Sequence, residues 1–352
     1  MQPQHNGIYI EKNLKFNSKS DNLPIHYDIY MPNENATQKP LHTNLCAEKP
    51  TIIQIAHGMV EHKERYKWLC TELALHGYIV AISDHRGHGK SIDNNHPWGE
   101  MTGISDTKSK GNENLQDGFH KAIDDLYTLS KILCKRFTHH KLILLGHSMG
   151  SLLSRGYLKK HGEVLHALIL SGSPAYNPLL SVGINMALLL RAIGADTWGR
   201  KFINNLSFGG FNKAFAKEDK NSQHSTGAFA WLSRDLDSVR AYRNDEACQF
   251  IFSLDSFIAL FRGTLWVQQP LCNESKLQDS KLQKPPIYMI SGASDSCGDF
   301  GKGVQKIAQI LQDNGFHVTL QLYPEARHEI FQEINKQEVL KDLLEWLHNL
   351  KS

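Results

Sequence analysis

Residues 141–150, KLILLGHSMG, carry an apolar run straight into Gly146-His147-Ser148-Met149-Gly150, and SLLSRGYLKK (151–160) continues with apolar residues at helical spacing. A G-x-S-x-G motif between a strand and a helix makes a tight elbow. Its small flanking residues avoid clashes, and the serine Oγ is left exposed at the edge of the sheet with the helix N-terminus behind it. Five letters alone recur by chance, so the placement gives the motif its weight.

Outward from the elbow the chain alternates strand and helix. TIIQIA (51–56), YIVAIS (78–83), HALILS (166–171), IYMIS (287–291) and HVTLQLY (317–323) are short and mostly apolar like KLILLG, as strands covered on both faces are. Before them, IYIEKNLKF (8–16) and LPIHYDIY (23–30) alternate apolar and polar residues across a Ser18-Lys19-Ser20-Asp21-Asn22 turn, the pattern of an antiparallel hairpin. Leu115, Phe119, Ala122, Ile123, Leu126, Leu129, Ile132 and Leu133 recur at helical spacing, and 302–314 and 336–350 read as helices too. This order predicts an α/β fold with a mostly parallel, doubly wound sheet of eight strands. From Pro174 to Val267 no strand pattern recurs, while LLSVGINMALLLRAI (179–193), GAFAWLSRDL (227–236) and FIFSLDSFIALF (250–261) look helical. The expected organisation is therefore a core of residues 1–173 and 268–352 interrupted by a helical cap, or lid, at 174–267. The polar segments 32–50 and 268–286 read as loops.

Composition removes other classes. A chain of 352 residues with 21% charged and 41% hydrophobic residues can bury a large core, which excludes a disulfide-stapled mini-protein and a disordered chain. The 39 Lys and Arg against 36 Asp and Glu leave a charge of +3 and no basic block, so no nucleic-acid partner is expected. Six scattered cysteines without a C-x-x-C pair suit reduced thiols. MQPQHNGIYIEKNLKF lacks a cationic start followed by an apolar run, and the longest stretch free of charged residues, Val164 to Leu190, is broken by Pro174, Asn177 and Pro178. Neither a secretory leader nor a transmembrane span is expected, and the cytoplasm is the default location.

A serine hydroxyl is a weak nucleophile until an imidazole takes its proton, and a third group must fix the imidazole tautomer. Among 19 histidines, His328 in LYPEARHEI follows the last strand and precedes the last helix, from where it can reach the elbow. The acid should end a strand between serine and histidine. ISGASDSCGDF (290–300) offers Asp295 first and Asp299 as its rival, whereas HALILS leaves through GSPAYN with no carboxylate. In IAHGMVEHKERY (55–66), His57 and Gly58 lead into a turn where the Met59 N–H, with the Met149 N–H, would form an oxyanion hole. Ser148, Asp295 and His328 are thus the candidate catalytic residues, with Met59 and Met149 the candidate oxyanion donors.

HGMVEHKERY (57–66), SDHRGHGKS (83–91), GHSMG, SGASDSCGDFGKGV (291–304) and YPEARHEI (323–330) together resemble the successive motifs of the monoacylglycerol lipase and lysophospholipase group of α/β-hydrolases, within the serine aminopeptidase S33-like proteins. The similarity spans nearly the whole chain. It implies the same five roles for Met59, Ser148, Met149, Asp295 and His328, and it places FAWLSRDLDSVRAY (229–242) in the cap. It further implies cleavage of a lipid or small-molecule ester, monoacylglycerol or lysophospholipid, through an acyl-enzyme. A serine thioesterase, amidase or peptidase on the same scaffold, and a hydrolase fold that only binds a ligand, are the alternatives.

Other motifs fail their patterns. GHGKS (87–91) ends like a phosphate loop, but Asp84 stands where the first glycine is required. His328 and Glu329 begin H-E-x-x-H, yet the fifth position is Gln332. No metal and no cofactor are expected. Glu61, His62 and Arg65 read as support for the oxyanion turn, Cys297 as a loop cysteine near the acid, and Arg191, Arg200 and Lys201 as solvated charges rather than a head-group site. Leu179 to Ile193 is apolar around most of its circumference. Packing against the core is the leading account of it, and peripheral contact with a membrane or micelle is the rival.

Overall fold

The computed structural model describes residues 7–33, 51–105, 117–215, 227–270, 277 and 283–350. Residues 34–50, 271–276 and 278–282, for which loops are expected, lie outside the described residues, as do Leu115, Cys46 and Cys272.

Eight strands form one sheet: β1 (Ile8–Asn17), β2 (Pro24–Pro32), β3 (Thr51–Ala56), β4 (Ile79–Ser83), β5 (Lys141–His147), β6 (Ala167–Ser171), β7 (Ile287–Gly292) and β8 (Val318–Tyr323). Their order is β1-β2-β4-β3-β5-β6-β7-β8. β1 pairs antiparallel with β2 and β2 with β4; the other pairings are parallel. The expected hairpin and the expected mostly parallel sheet are both present, and this is the α/β-hydrolase fold.

Period-two alternation divides each central strand between two cores. Ile52, Leu142, Leu144, Leu168, Leu170, Ile287 and Met289 join the core on one face; Ile53, Ile55, Ile143, Leu145, Ile169, Tyr288 and Ile290 join the core on the other. The first face is covered by α2 (Gly118–Arg136), α3 (Met149–His161) and the helices of the long β6–β7 connection; the second by α1 (Lys67–Leu75) and α9 (Lys336–His348). Burial on both sides is why these strands read as apolar runs and not as alternating ones. A polar residue at such a position needs partners. Gln54 donates to the Leu126 carbonyl (2.9 Å) and accepts from Ser130 Oγ (2.7 Å), which in turn accepts from the Tyr157 hydroxyl (2.9 Å).

Between β6 and β7 the described residues hold helices and turns and no strand: α4 (Leu180–Ala192), α5 (Asp196–Phe208), α6 (Leu236–Asn244) and α7 (Leu254–Gln268), with α8 (Lys302–Asp313) following β7. Among the described residues no helix is long and apolar enough to cross a membrane.

The SDHRGHGKS segment is a tight turn. Its Arg86 is completely buried and donates from Nε to Asp125 (2.9 Å), from its two terminal nitrogens to Asp21 (2.9 and 3.0 Å), and to the Met101 carbonyl and Ser18 Oγ. One guanidinium thus ties the β1–β2 turn to α2 and to the loop after β4. Removing one member of a buried charge network strands the others, at a cost of about 3–5 kcal/mol. Arg86→Met is expected to lower unfolding free energy by about that amount in chemical denaturation, and Arg86→Lys, lacking the planar fork, to restore little of it. A loss below about 1 kcal/mol would show that the network is dispensable.

Candidate active site

The elbow after β5 is set by close backbone approach. A Cβ on Gly150 would stand 2.0 Å from the Ala56 carbonyl oxygen, and one on Gly146 would stand 2.3 Å from both the Gly150 oxygen and Ser154 Oγ. Only glycine fits at either position. Between them Ser148 holds φ 52° and ψ −118°, a conformation that costs a side-chain-bearing residue on the order of 1–3 kcal/mol. Its N–H is fixed by the Ser171 carbonyl on β6 (2.9 Å). The strained turn lifts Ser148 Oγ clear of the sheet.

Ser148 Oγ lies 2.9 Å from His328 Nε2, and His328 Nδ1 lies 3.0 Å from Asp295 Oδ2. Asp295 is completely buried and accepts the Cys297 N–H through its other oxygen (2.8 Å). The rival Asp299 is exposed and stands at a turn, where its N–H bonds to the Ser296 carbonyl. The three candidate catalytic residues therefore meet, from the ends of β5, β7 and β8.

Two imidazoles lie near the serine, and their environments separate them. Burial pushes His147 down to about 3, so it stays neutral, with Nδ1 3.2 Å from Ser171 Oγ. Burial also pushes His328 down, but the charge and hydrogen bond of Asp295 outweigh it, with Glu329 and Glu61 adding, and His328 ends above its ordinary value. Only His328 combines reach, a carboxylate partner and the basicity to accept a proton.

The turn carrying Met59 packs directly on the elbow, because a Cβ on Gly58 would stand 3.2 Å from Ser148 Cβ. Met59 and Met149 both line the cavity beside Ser148. Met149 is the first residue of α3, so its N–H has no acceptor within the helix. Behind this turn Glu61 accepts from the Gly58 N–H, the Tyr66 hydroxyl (2.8 Å) and Arg65 (3.0 Å). Arg65 then reaches both oxygens of Glu329 (2.6 and 2.8 Å), the neighbour of His328. Burial raises Glu61, whereas the Arg65 guanidinium overcomes burial at Glu329 and lowers it. Glu61 and Arg65 thus support the turn as expected; His62 instead turns outward to Asp245 (2.7 Å).

The remaining candidates take plain roles. Cys297 is buried, and burial and the Asp295 charge push its thiol up, so it holds the acid through its backbone. Arg191 pairs with Asp255, and Arg200 and Lys201 are exposed. In the GHGKS turn Ser91 Oγ donates to the Asp84 carbonyl (2.8 Å). The four described cysteines, Cys70, Cys134, Cys248 and Cys297, are unpaired.

Trp231 was not singled out from the sequence, yet its ring packs on His328 with centroids 4.8 Å apart, and its carbonyl accepts the His328 N–H (3.3 Å). The Leu232 carbonyl accepts the Glu329 N–H (2.8 Å). Arg234 anchors the same segment to buried Glu333 (3.0 Å). FAWLSR gave no periodic signal for this; only its aromatic residue inside a matched motif hinted at it. Above the Ser148 chain opens a largely apolar cavity of about 810 Å³, walled by Leu152, Leu180, Leu206, Phe261 and Trp231 among others.

The profile described as serine aminopeptidase, S33 matches residues 47–335. The monoacylglycerol lipase of Mycolicibacterium smegmatis is 24% identical over 296 residues, 84% of this chain and 87% of that protein. The human monoglyceride lipase is 24% identical over 303 residues, 82% and 83% of the two chains. Among solved structures, a thermostable carboxyl esterase from Bacillus coagulans superposes with a TM-score of 0.69 at 24% identity, covering 97% of this chain and 98% of that one. A monoglyceride lipase from Saccharomyces cerevisiae gives 0.64 at 19% identity and 99% of each chain. At such identities the superpositions speak for the fold alone. The matched profile, spanning most of the sequence, establishes that the chain belongs to the serine aminopeptidase S33 family of α/β-hydrolases and is a hydrolase.

Proposed function

We propose that this protein hydrolyses the carboxylic ester of a lipid monoester, a monoacylglycerol or lysophospholipid, through an acyl-enzyme on Ser148. The observation that carries the reading is the hydrogen-bonded line from Ser148 through His328 to buried Asp295 at the floor of an apolar cavity large enough for an acyl chain. His328 Nε2 takes the Ser148 proton as Oγ attacks the ester carbonyl, and Asp295 stabilises the imidazolium through Nδ1–H. The developing oxyanion is held by the N–H groups of Met59 and Met149. Collapse breaks the ester bond, His328 returns its proton to the departing alcohol, and water repeats the sequence to release the fatty acid and restore Ser148. Residues 174–267 act as a cap that encloses the chain.

The family relatives named as monoacylglycerol and monoglyceride lipases support this substrate class. So does the outer surface of the cap. On α4 one face is buried (Leu180, Gly183, Ile184, Ala187, Leu190), while Val182 and Leu189 and the capping residues Leu179 and Ile193 are exposed; on α5 Trp198, Phe202 and Leu206 are exposed at every fourth position. Leu179, Val182 and Leu206 also line the cavity, so the exposed stripes run into its mouth. We read this surface as the contact with a membrane or micelle.

Ser148→Ala is expected to abolish labelling by a fluorophosphonate probe and to cost on the order of 10⁶ in turnover of monoacylglycerol. Labelling that survives in the variant would move the nucleophile elsewhere. Activity should fall as pH drops through a midpoint above the ordinary histidine value of ~6.5, because His328 must be neutral to act and Asp295 favours its protonated form. Asp295→Asn should cost about 10⁴ in kcat and shift that acid limb to lower pH, while Asp299→Asn leaves both nearly unchanged; the reverse ranking would transfer the role to Asp299. For the cap, Leu189→Asp should sharply reduce turnover of micellar long-chain substrate while sparing soluble short-chain esters and the melting temperature. Leu190→Asp, which buries an unpartnered charge, should instead lower the melting temperature and both activities. Equal behaviour of the two variants would deny α4 an interfacial role.

A further inference from the structure

Outside the Ser148 line, His62, Asp245 and Cys248 bring an imidazole, a carboxylate and a thiol together, with ligand atoms all within 4.8 Å of one another. Local geometry makes the pair from the cap. Glu246–Cys248 is a 3₁₀ turn with Asp245 as its N-cap, and this tight turn keeps the Asp245 carboxylate and the Cys248 thiol within 4.8 Å of each other. Asp245 Oδ1 accepts the Ala247 N–H (3.0 Å), which leaves Oδ2 aimed at His62 Nε2, 2.7 Å away. His62 comes from the turn after β3, three residues beyond Met59.

We propose that His62, Asp245 and Cys248 form a site for a thiophilic divalent cation, zinc foremost, that fastens the cap to the oxyanion turn. Zinc binds sulfur at about 2.3 Å and imidazole or carboxylate at about 2.0–2.2 Å, which sets tetrahedral ligand atoms roughly 3.3–3.7 Å apart. The observed spacings, from 2.7 Å to no more than 4.8 Å, bracket that range, so small side-chain rotations complete the set. A thiolate beside nitrogen and oxygen donors selects zinc over magnesium or calcium. The side chains of His62 and Asp245 are 13% and 37% exposed, whereas Cys248 is buried and clusters with Tyr242 and Leu232. On loading, the S–H bond breaks, an S–metal bond forms, and the proton leaves to solvent, while imidazole binds neutral and the carboxylate charged. Three protein donors leave a fourth position for water. Cys248, Gln249 and Phe250 are also cavity wall, so the bound ion would stiffen one side of the substrate cavity.

The test is a zinc titration of the reduced, chelator-treated full chain, with cobalt(II) as an optical substitute. One zinc per chain, release of a proton, and a thiolate-to-cobalt charge-transfer band are expected. Cys248→Ser and His62→Ala should each weaken zinc by more than the 10–100-fold that loss of an outer-shell partner costs. Asp295, Cys297 and His328 form the second group of this kind among the described residues, so Cys297→Ser is the control and should leave the titration unchanged. Absence of binding, or equal affinity in Cys248→Ser, would reduce His62 and Asp245 to a plain ion pair; loss in Cys297→Ser alone would place the ion at the Ser148 line. Melting curves in chelator verify folding, and the near-isosteric Cys248→Ser decides the matter should His62→Ala fail to fold.

Discussion

The structure depends on a single close approach, that of the Gly150 backbone to the Ala56 carbonyl at the end of β3. With no side chain at 146 or 150, α3 can begin within van der Waals contact of the sheet and the chain can turn through φ 52° at Ser148. That conformation is unfavourable in isolation. It persists because β5 lies between β3 and β6, pinned by parallel ladders on both sides, and because the Ser148 N–H is held by Ser171. The rigidity of the central sheet is thereby converted into the fixed direction of one hydroxyl.

The other groups arrive by the geometry of parallel strands, whose carboxyl ends all open to the same edge. The Gly58 turn follows β3, the elbow β5, Asp295 β7 and His328 β8. Loops at a common edge need restraints among themselves, and here they are buried and charged. Glu61, Arg65 and Glu329 form a line from the Gly58 N–H to the residue beside His328. Such a buried network gains little net stability, since desolvation offsets much of its attraction. Its effect is positional: it sets the spacing between the turn that carries Met59 and the loop that carries His328.

Much of this was legible in the sequence because it rests on local pattern. The six apolar runs became six strands with ends shifted by one residue at most. In five of them burial on both faces leaves a run that no surface segment imitates, whereas β8 lies at the sheet edge, only partly buried and with Gln321 exposed, so its expected cover on both faces is not found. Ser148 and His328 were legible because each sits where one element ends and another begins. Asp295 and Asp299 could not be separated by spacing; what separates them is that Asp295 is enclosed at the strand end while Asp299 stands exposed in the next turn. The helix Lys67–Leu75, with Leu69, Cys70, Leu73 and Ala74 buried, is not legible from the sequence, being only nine residues long and following directly on a motif whose residues point to chemistry. Trp231 and Asp245 were illegible for a different reason. Each acts through a contact with a residue far away in sequence, His328 and His62, and nothing in a neighbourhood of ten residues records such a contact.

The helix α4 meets two physical demands at once. In α4, Leu189 faces out and Leu190 faces in, so the near-continuous apolar run that obscured its orientation is two stripes with different purposes. The inner stripe needs no special account, as it packs on α7 like any core helix. The outer stripe is costly in water and continues through Leu179, Val182 and Leu206 into the cavity. Under the proposed function its value lies in the transfer step. An acyl chain of sixteen carbons crossing free water would expose apolar surface worth on the order of 10 kcal/mol, at ~0.8 kcal/mol per methylene. A mouth whose rim is itself apolar lets the chain pass from aggregate to cavity without that exposure, so the surface that destabilises the free protein lowers the barrier to loading it.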